Sequence, residues 1–117
     1  MNVIIAGSRT FTDYEKLKGE LNRLNLTISK ILSGGATGAD SLGEQYAREH
    51  NIPIMRFDAD WIKFGRSAGP IRNTNMAKFG DVLVAFWDGK SRGTYDMISK
   101  MEQKSKPVFI ILVKSEE

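Results

Sequence analysis

Short β-branched runs alternate along this chain with longer stretches in which apolar residues recur at every third or fourth position. Val3-Ile4-Ile5-Ala6, ended by Gly7, has the continuous apolar character of a strand buried on both faces. Leu17, Leu21 and Leu24 then fall on one side of a helix that Thr12 or Asp13 caps and that runs to about Asn25. A second strand over 28–32 ends in Ser33-Gly34-Gly35, and a second helix, capped by Asp40, runs to about His50 with Leu42, Tyr46 and Ala47 on its apolar face. Residues 52–57 read as a third strand, with Pro53 suited to its start. After the irregular piece 58–69, Pro70 stands in the first turn of a helix that Gly80 closes. A fourth strand over 82–86, a helix from Ser91 or Thr94 to about Lys104, and a fifth strand over 108–113 complete the pattern before a charged tail.

Five strands alternating with four helices predict an α/β domain, a single Rossmann-like doubly wound parallel sheet spanning 1–117. Right-handed crossovers leave few topologies. The expected strand order is 3-2-1-4-5, with its switch point between the first and fourth strands; the flavodoxin-like order 2-1-3-4-5 is the alternative. Both place a ligand beyond the carboxyl ends of the strands.

Composition narrows the function classes. The chain has 117 residues, enough to bury a core without staples. It contains no cysteine, which removes disulfides, thiol nucleophiles and thiolate metal sites, and His50 is its only histidine. No metal site and no cofactor is expected. The N-terminus lacks the basic and long apolar regions of a signal peptide, and no apolar run approaches the ~20 residues of a membrane span, so a cytoplasmic protein without membrane partners is expected. A formal charge of +3 favours anionic partners only weakly.

The candidate chemistry lies in four strand-end loops: Gly7-Ser8-Arg9-Thr10-Phe11; Ser33-Gly34-Gly35-Ala36-Thr37-Gly38-Ala39-Asp40; the piece 58–69 leading to Arg72 and Asn73; and Trp87-Asp88-Gly89-Lys90-Ser91-Arg92-Gly93-Thr94. A parallel sheet brings all four to one edge. Gly34, Gly35 and Gly38 let a ligand approach the backbone, and free amides at the following helix form an anion site. The spacing is neither GxGxxG nor a P-loop, and a tight turn with a helix cap is the alternative. Arg9, Lys63, Arg66, Arg72, Lys90 and Arg92 are mixed with Asp40, Asp58, Asp60 and Asp88, a pattern that suits phosphate together with ribose or base groups. Lys63, Arg66 and Lys90 also fit as solvated surface charges. Trp61, Phe64 and Trp87 can stack on a base, anchor loops or serve a dimer contact. Arg72, in the first turn of its helix, would grip a phosphate jointly with the helix N-terminus, or turn outward to Asp58 or Asp60. The segment 58–69 is long for a βα connection and is expected to be the mobile element, with Gly65 and Gly69 as hinges.

Gly7-Ser8-Arg9, Ser33-Gly34-Gly35-Ala36-x-Gly38-Ala39-Asp40, Ala68-Gly69-Pro70-x-Arg72-Asn73 and Ser91-x-Gly93-Thr94, in this order and spacing, resemble the SLOG superfamily, and within it the YspA-like branch related to YpsA. The resemblance implies a Rossmann-like domain that binds nucleotides or nucleotide-derived signals, with ligand contacts from Gly7, Ser8, Arg9, Gly34, Gly35, Gly38, Arg72, Asn73, Gly93 and Thr94. Thr10, Ser33, Asp40, Trp61 and Ser91 join the candidate set from their loop positions. Relatives include the LOG phosphoribohydrolases, the single-stranded DNA binder DprA and sensor domains of anti-phage immunity; they imply a homodimer or tetramer. The LOG motif GGxGTxxE is broken here: its glutamate position is Met97, and Asp96 is rotated about 100° away on the helix. The expectation is therefore a sensor or sequestering protein for a nucleotide derivative, in a setting of phage–host conflict. The alternatives are a nucleoside monophosphate phosphoribohydrolase or N-glycosidase using Asp40, Asp88 or Asp96, and nucleic-acid binding, which the mixed charge disfavours.

Overall fold

The structure, a computed structural model, describes residues 1–114. The end of the charged tail, residues 115–117, lies outside the described residues. In chain order the elements are β1 (Asn2–Gly7), α1 (Tyr14–Leu24), β2 (Lys30–Ser33), α2 (Ala39–Glu49), β3 (Ile54–Arg56), the single-turn α3 (Trp61–Phe64), a 3-10 turn (Gly65–Ser67), α4 (Ala68–Phe79), β4 (Val82–Trp87), α5 (Arg92–Gln103) and β5 (Val108–Leu112). The sheet is wholly parallel in the order β3-β2-β1-β4-β5. This is the expected order, and the alternative is excluded.

Strand alternation builds two cores. Val3, Ile5, Ile31, Val82, Val84 and Phe86 face Leu17 and Leu21 of α1 and Tyr46 and Ala47 of α2. Ile4, Ala6, Leu32, Leu83 and Ala85 face Met76 and Ala77 of α4 and Met97, Ile98 and Met101 of α5. Helices thus cover both faces, and the chain changes face between β1 and β4. There the two strands are in register from Val3 with Val82 to Gly7 with Phe86, and their carboxyl ends diverge into opposite loops. No described helix is long and apolar enough to cross a membrane.

Several boundaries differ from the sequence reading, each for a local reason. Asp13, not Thr12, caps α1, accepting the Lys16 amide at 3.0 Å. Asp40 does not cap α2: the helix begins at Ala39 after Gly38, and Asp40 lies inside its first turn. Residues 58–69 are not one irregular loop. Asp60 caps α3 through the Lys63 amide, the 3-10 turn follows, and α4 starts at Ala68. Pro70 is accordingly the third residue of α4, where a missing N–H still costs no helical hydrogen bond. Arg72 is the fifth, beyond the turn of unpaired amides in which it was expected.

Candidate functional site

The loop ends are locked together before any ligand is considered. Ser8 is the hub: its amide donates to Phe86 O at 2.9 Å, its carbonyl accepts the Phe11 and Ala39 amides at 3.2 Å, and its Oγ accepts the Asp88 amide at 3.1 Å. Gly7 and Gly38 serve this packing. A Cβ on Gly7 would lie 2.1 Å from Phe86 O, and one on Gly38, whose φ is +74°, would lie 2.3 Å from Ser8 O. Ser33 is buried, donating its hydroxyl to Glu44 Oε2 at 2.6 Å while accepting the Gly35 amide at 3.1 Å. Of the candidate ligand contacts, Ser8, Ser33 and Gly38 are therefore engaged in loop-to-loop structure, and Thr10 sits in an exposed turn.

The remaining candidates surround three adjoining hollows that share Arg9 and Arg72. The first, about 320 Å³, lies between Gly34, Gly35, Ala36 and Thr37 of the β2 loop, Asp58 and Ala59 after β3, and Trp61. The second, about 60 Å³, sits at the switch point; Gly7, Met76 and Met97 line it together with Asp40, Asn73, Ser91, Gly93 and Thr94. The third, about 330 Å³, is lined by Trp61, Arg66, Gly69, Arg92, Gly93 and Asp96. The two larger hollows fall at the lower end of the roughly 300–1,000 Å³ of small-molecule sites. Trp61, 51% exposed, borders both of them, and its ring rests over Gly69, where a Cβ would come within 3.4 Å of Cη2.

Arg72 turns inward, not toward Asp60. Its Nη1 donates to Gly34 O at 2.7 Å and its Nε to Asn73 Oδ1 at 3.0 Å, so the guanidinium bridges the β2 loop and α4. Asn73 in turn donates to Gly93 O at 3.2 Å and Asp96 Oδ2 at 3.0 Å, tying α4 to the start of α5. Gly34 makes room for this: a Cβ there would meet Arg72 Nη1 at 2.6 Å and Asp40 Oδ2 at 2.9 Å. The close approach that the β2-loop glycines permit is thus made by the protein's own side chains and by the Ser8–Arg9 backbone. Gly93 is different. Among the described residues nothing lies within 4 Å of a Cβ placed there, and no side chain caps the amides that begin α5.

Asp40 is 7% exposed and lines the small hollow, with its Oδ2 accepting the Ala36 amide at 3.2 Å. Burial raises its pKa from 3.8 to about 6, against the opposing pull of the Ala36 amide and Arg72. The other acids are committed. Asp88 caps its own loop through the Lys90 and Ser91 amides, both at 2.8 Å, which hold its carboxyl below the usual range. Both oxygens of Asp96 lie 2.6 Å from Lys100 Nζ. Met97 is a buried core residue behind the small hollow.

The sequence reading missed Glu44. It is 5% exposed on the inner face of α2 and held by Ser33 and by Arg56, whose Nη2 donates at 2.6 Å. Burial opposes its ionisation, but the Arg56 and Ser33 hydrogen bonds outweigh it and the pKa is lowered. The signal was present: a glutamate three residues before Ala47, on the side of α2 that faces the sheet.

A wholly parallel 3-2-1-4-5 sheet with glycine loops around an arginine-lined crevice defines a small Rossmann-like domain, with the crevice at the switch point where such folds place it. The chain belongs to the YspA, cpYpsA-related SLOG family, whose sequence model matches residues 1–64 and so includes the loops after β1 and β2. It is similar to the Gene 61 protein of Mycobacterium phage D29, 33% identical over 116 residues that cover 91% of this chain and 92% of the relative. In fold it is similar to DNA processing protein A (DprA) from Streptococcus pneumoniae, with a TM-score of 0.77 and 14% identity over 97% of this chain. The chain spans 50% of that protein.

Proposed function

We propose that this protein binds a nucleotide or nucleotide-derived small molecule in the cleft at the carboxyl edge of its sheet, acting as a cytoplasmic sensor or sequestering protein in phage–host conflict. The carrying observation is the cleft itself: hollows of about 320 and 330 Å³ meet around Arg9 and Arg72, with the half-exposed Trp61 ring at their border. Guanidiniums and the uncapped start of α5 suit phosphate, and the indole face suits a base. Binding without turnover is favoured because the position of the LOG glutamate holds the buried Met97, and Asp96 is neutralised by Lys100. The same reading has the chain as a homodimer or tetramer, supported by edge strand β5, which leaves Phe109, Ile110 and Leu112 exposed.

Thermal unfolding with a panel of nucleoside mono- and diphosphates, ADP-ribose and cyclic nucleotides tests the reading. A ligand at 100 times its dissociation constant adds about 2.7 kcal/mol of stability. A clear shift with at least one member supports the proposal. No shift with any member, and no nucleotide released from the denatured protein, refutes it.

A further inference from the structure

The sequence presents a mixture of acids and bases around the cleft, and the structure gathers four of the bases around one hollow. Arg9, Arg66, Arg72 and Arg92 all line the third hollow. Among the described residues none of the four forms an ion pair, whereas Arg23, Arg48 and Arg56 all do. Among the described residues the one acid in that hollow, Asp96, is taken by Lys100. Asp60 and Asp88 are turned to backbone amides. Asp58 and Asp40 line the first and second hollows beside Arg9 and Arg72, and neither lines the third.

A guanidinium has five N–H donors in a planar fork, and a terminal phosphate has three free oxygens. Arg72 spends two donors on Gly34 and Asn73, yet the cluster still offers many more than one phosphate can accept. Four like charges around one cavity repel each other. The positions divide into two groups. Arg9 and Arg72 reach the small switch-point hollow, where the uncapped α5 amides and the open face of Gly93 leave room for one phosphate and not for a base. Arg66 and Arg92 line only the outer hollow.

We propose, building on the nucleotide-binding reading, that the ligand carries at least two linked phosphate groups: one at the start of α5 with Arg9 and Arg72, the next between Arg66 and Arg92. The preferred ligand is then a small molecule with a diphosphate or longer phosphate chain.

Calorimetric titration of the intact protein with AMP, ADP, ATP, inorganic phosphate, pyrophosphate and a ten-residue thymidine oligonucleotide tests this. ADP should bind at least about tenfold more tightly than AMP, and pyrophosphate more tightly than phosphate, as expected for added charge-assisted hydrogen bonds. Arg66→Gln and Arg92→Gln alter exposed side chains, so the fold should survive. Each should reduce the ADP-over-AMP preference several-fold, while Arg23→Gln on α1 leaves it unchanged. Equal affinities for AMP and ADP, or equal losses for both in the two variants, overturn the two-phosphate assignment while leaving nucleotide binding standing. Tighter binding of the oligonucleotide than of any mononucleotide overturns the small-molecule assignment. Absence of binding by every probe overturns the two-phosphate assignment, while nucleotide binding itself stands or falls on the wider thermal panel above.

Discussion

Replacing Asp40 by asparagine should make the protein more stable at neutral pH. Asp40 is almost fully buried, and its pKa rises from 3.8 to about 6 because burial disfavours the charged carboxylate. Between these values the folded chain holds the proton and the unfolded chain has lost it. Stability therefore falls as pH rises from about 4 to 6, and the deficit is complete above that window. At about 1.4 kcal/mol per pKa unit, the cost above pH 6 is about 3 kcal/mol. Asparagine keeps an oxygen to accept the Ala36 amide and carries no charge, so Asp40→Asn should recover much of that cost. Denaturant unfolding of both proteins from pH 4 to pH 8 measures it: the wild type loses stability across the window, and the variant curve is flatter and higher above pH 6. The substitution should also tighten phosphate binding at pH 7.5, because a carboxylate lining the anion hollow repels the ligand. A variant no more stable than wild type at pH 7.5, with the same pH profile, refutes the reasoning.

Arg72→Lys keeps the charge but cannot reach Gly34 O and Asn73 Oδ1 together, so both it and Arg72→Ala should weaken ADP binding, the alanine by roughly 1.5–3 kcal/mol in calorimetry. Equal weakening for adenosine would mean that Arg72 shapes the loop without reading phosphate. Gly93→Ala should hold or raise the melting temperature, since the site is open and alanine favours helix by up to about 1 kcal/mol, yet should weaken ADP binding if a ligand approaches that backbone. Gly38→Ala, at φ +74° and 2.3 Å from Ser8 O, should instead lower stability by more than about 1 kcal/mol in the same melts.

The strand order was legible because the strands are short apolar runs, the first four of them leading into glycine, serine or aspartate, and α1, α2 and α5 carry apolar stripes. The start of α4 was not, because Ala68-Gly69 follows a single-turn helix too short to show periodicity, and Pro70 fits the first as well as the third helical position. Asp40 was misread as a cap because Gly38, with no side chain to announce it, opens α2. The four loops of the cleft could be read from their glycines and hydroxyls, and their convergence followed from a parallel sheet. Which glycines serve packing could not. Gly38 is needed by the Ser8–Arg9 backbone and Gly34 by Arg72, contacts between segments far apart in sequence. The charge pattern was hidden for the same reason. Asp60 offers itself in sequence as an ion-pair partner of Arg72 and Asp88 as one of the cleft's mixed charges, but their oxygens satisfy backbone amides two or three residues ahead. The Asp96–Lys100 pair, four apart on one helix, was within reach of sequence reasoning.

The central claim is the location of the ligand, and backbone amide chemical shifts recorded during titration with ADP test it most directly. Saturable shifts should concentrate at Gly34, Gly35, Arg72, Gly93 and Thr94, with the opposite ends of the strands unchanged. Shifts centred on β5 or on the amino edge of the sheet, or no shifts at millimolar ADP, would contradict it.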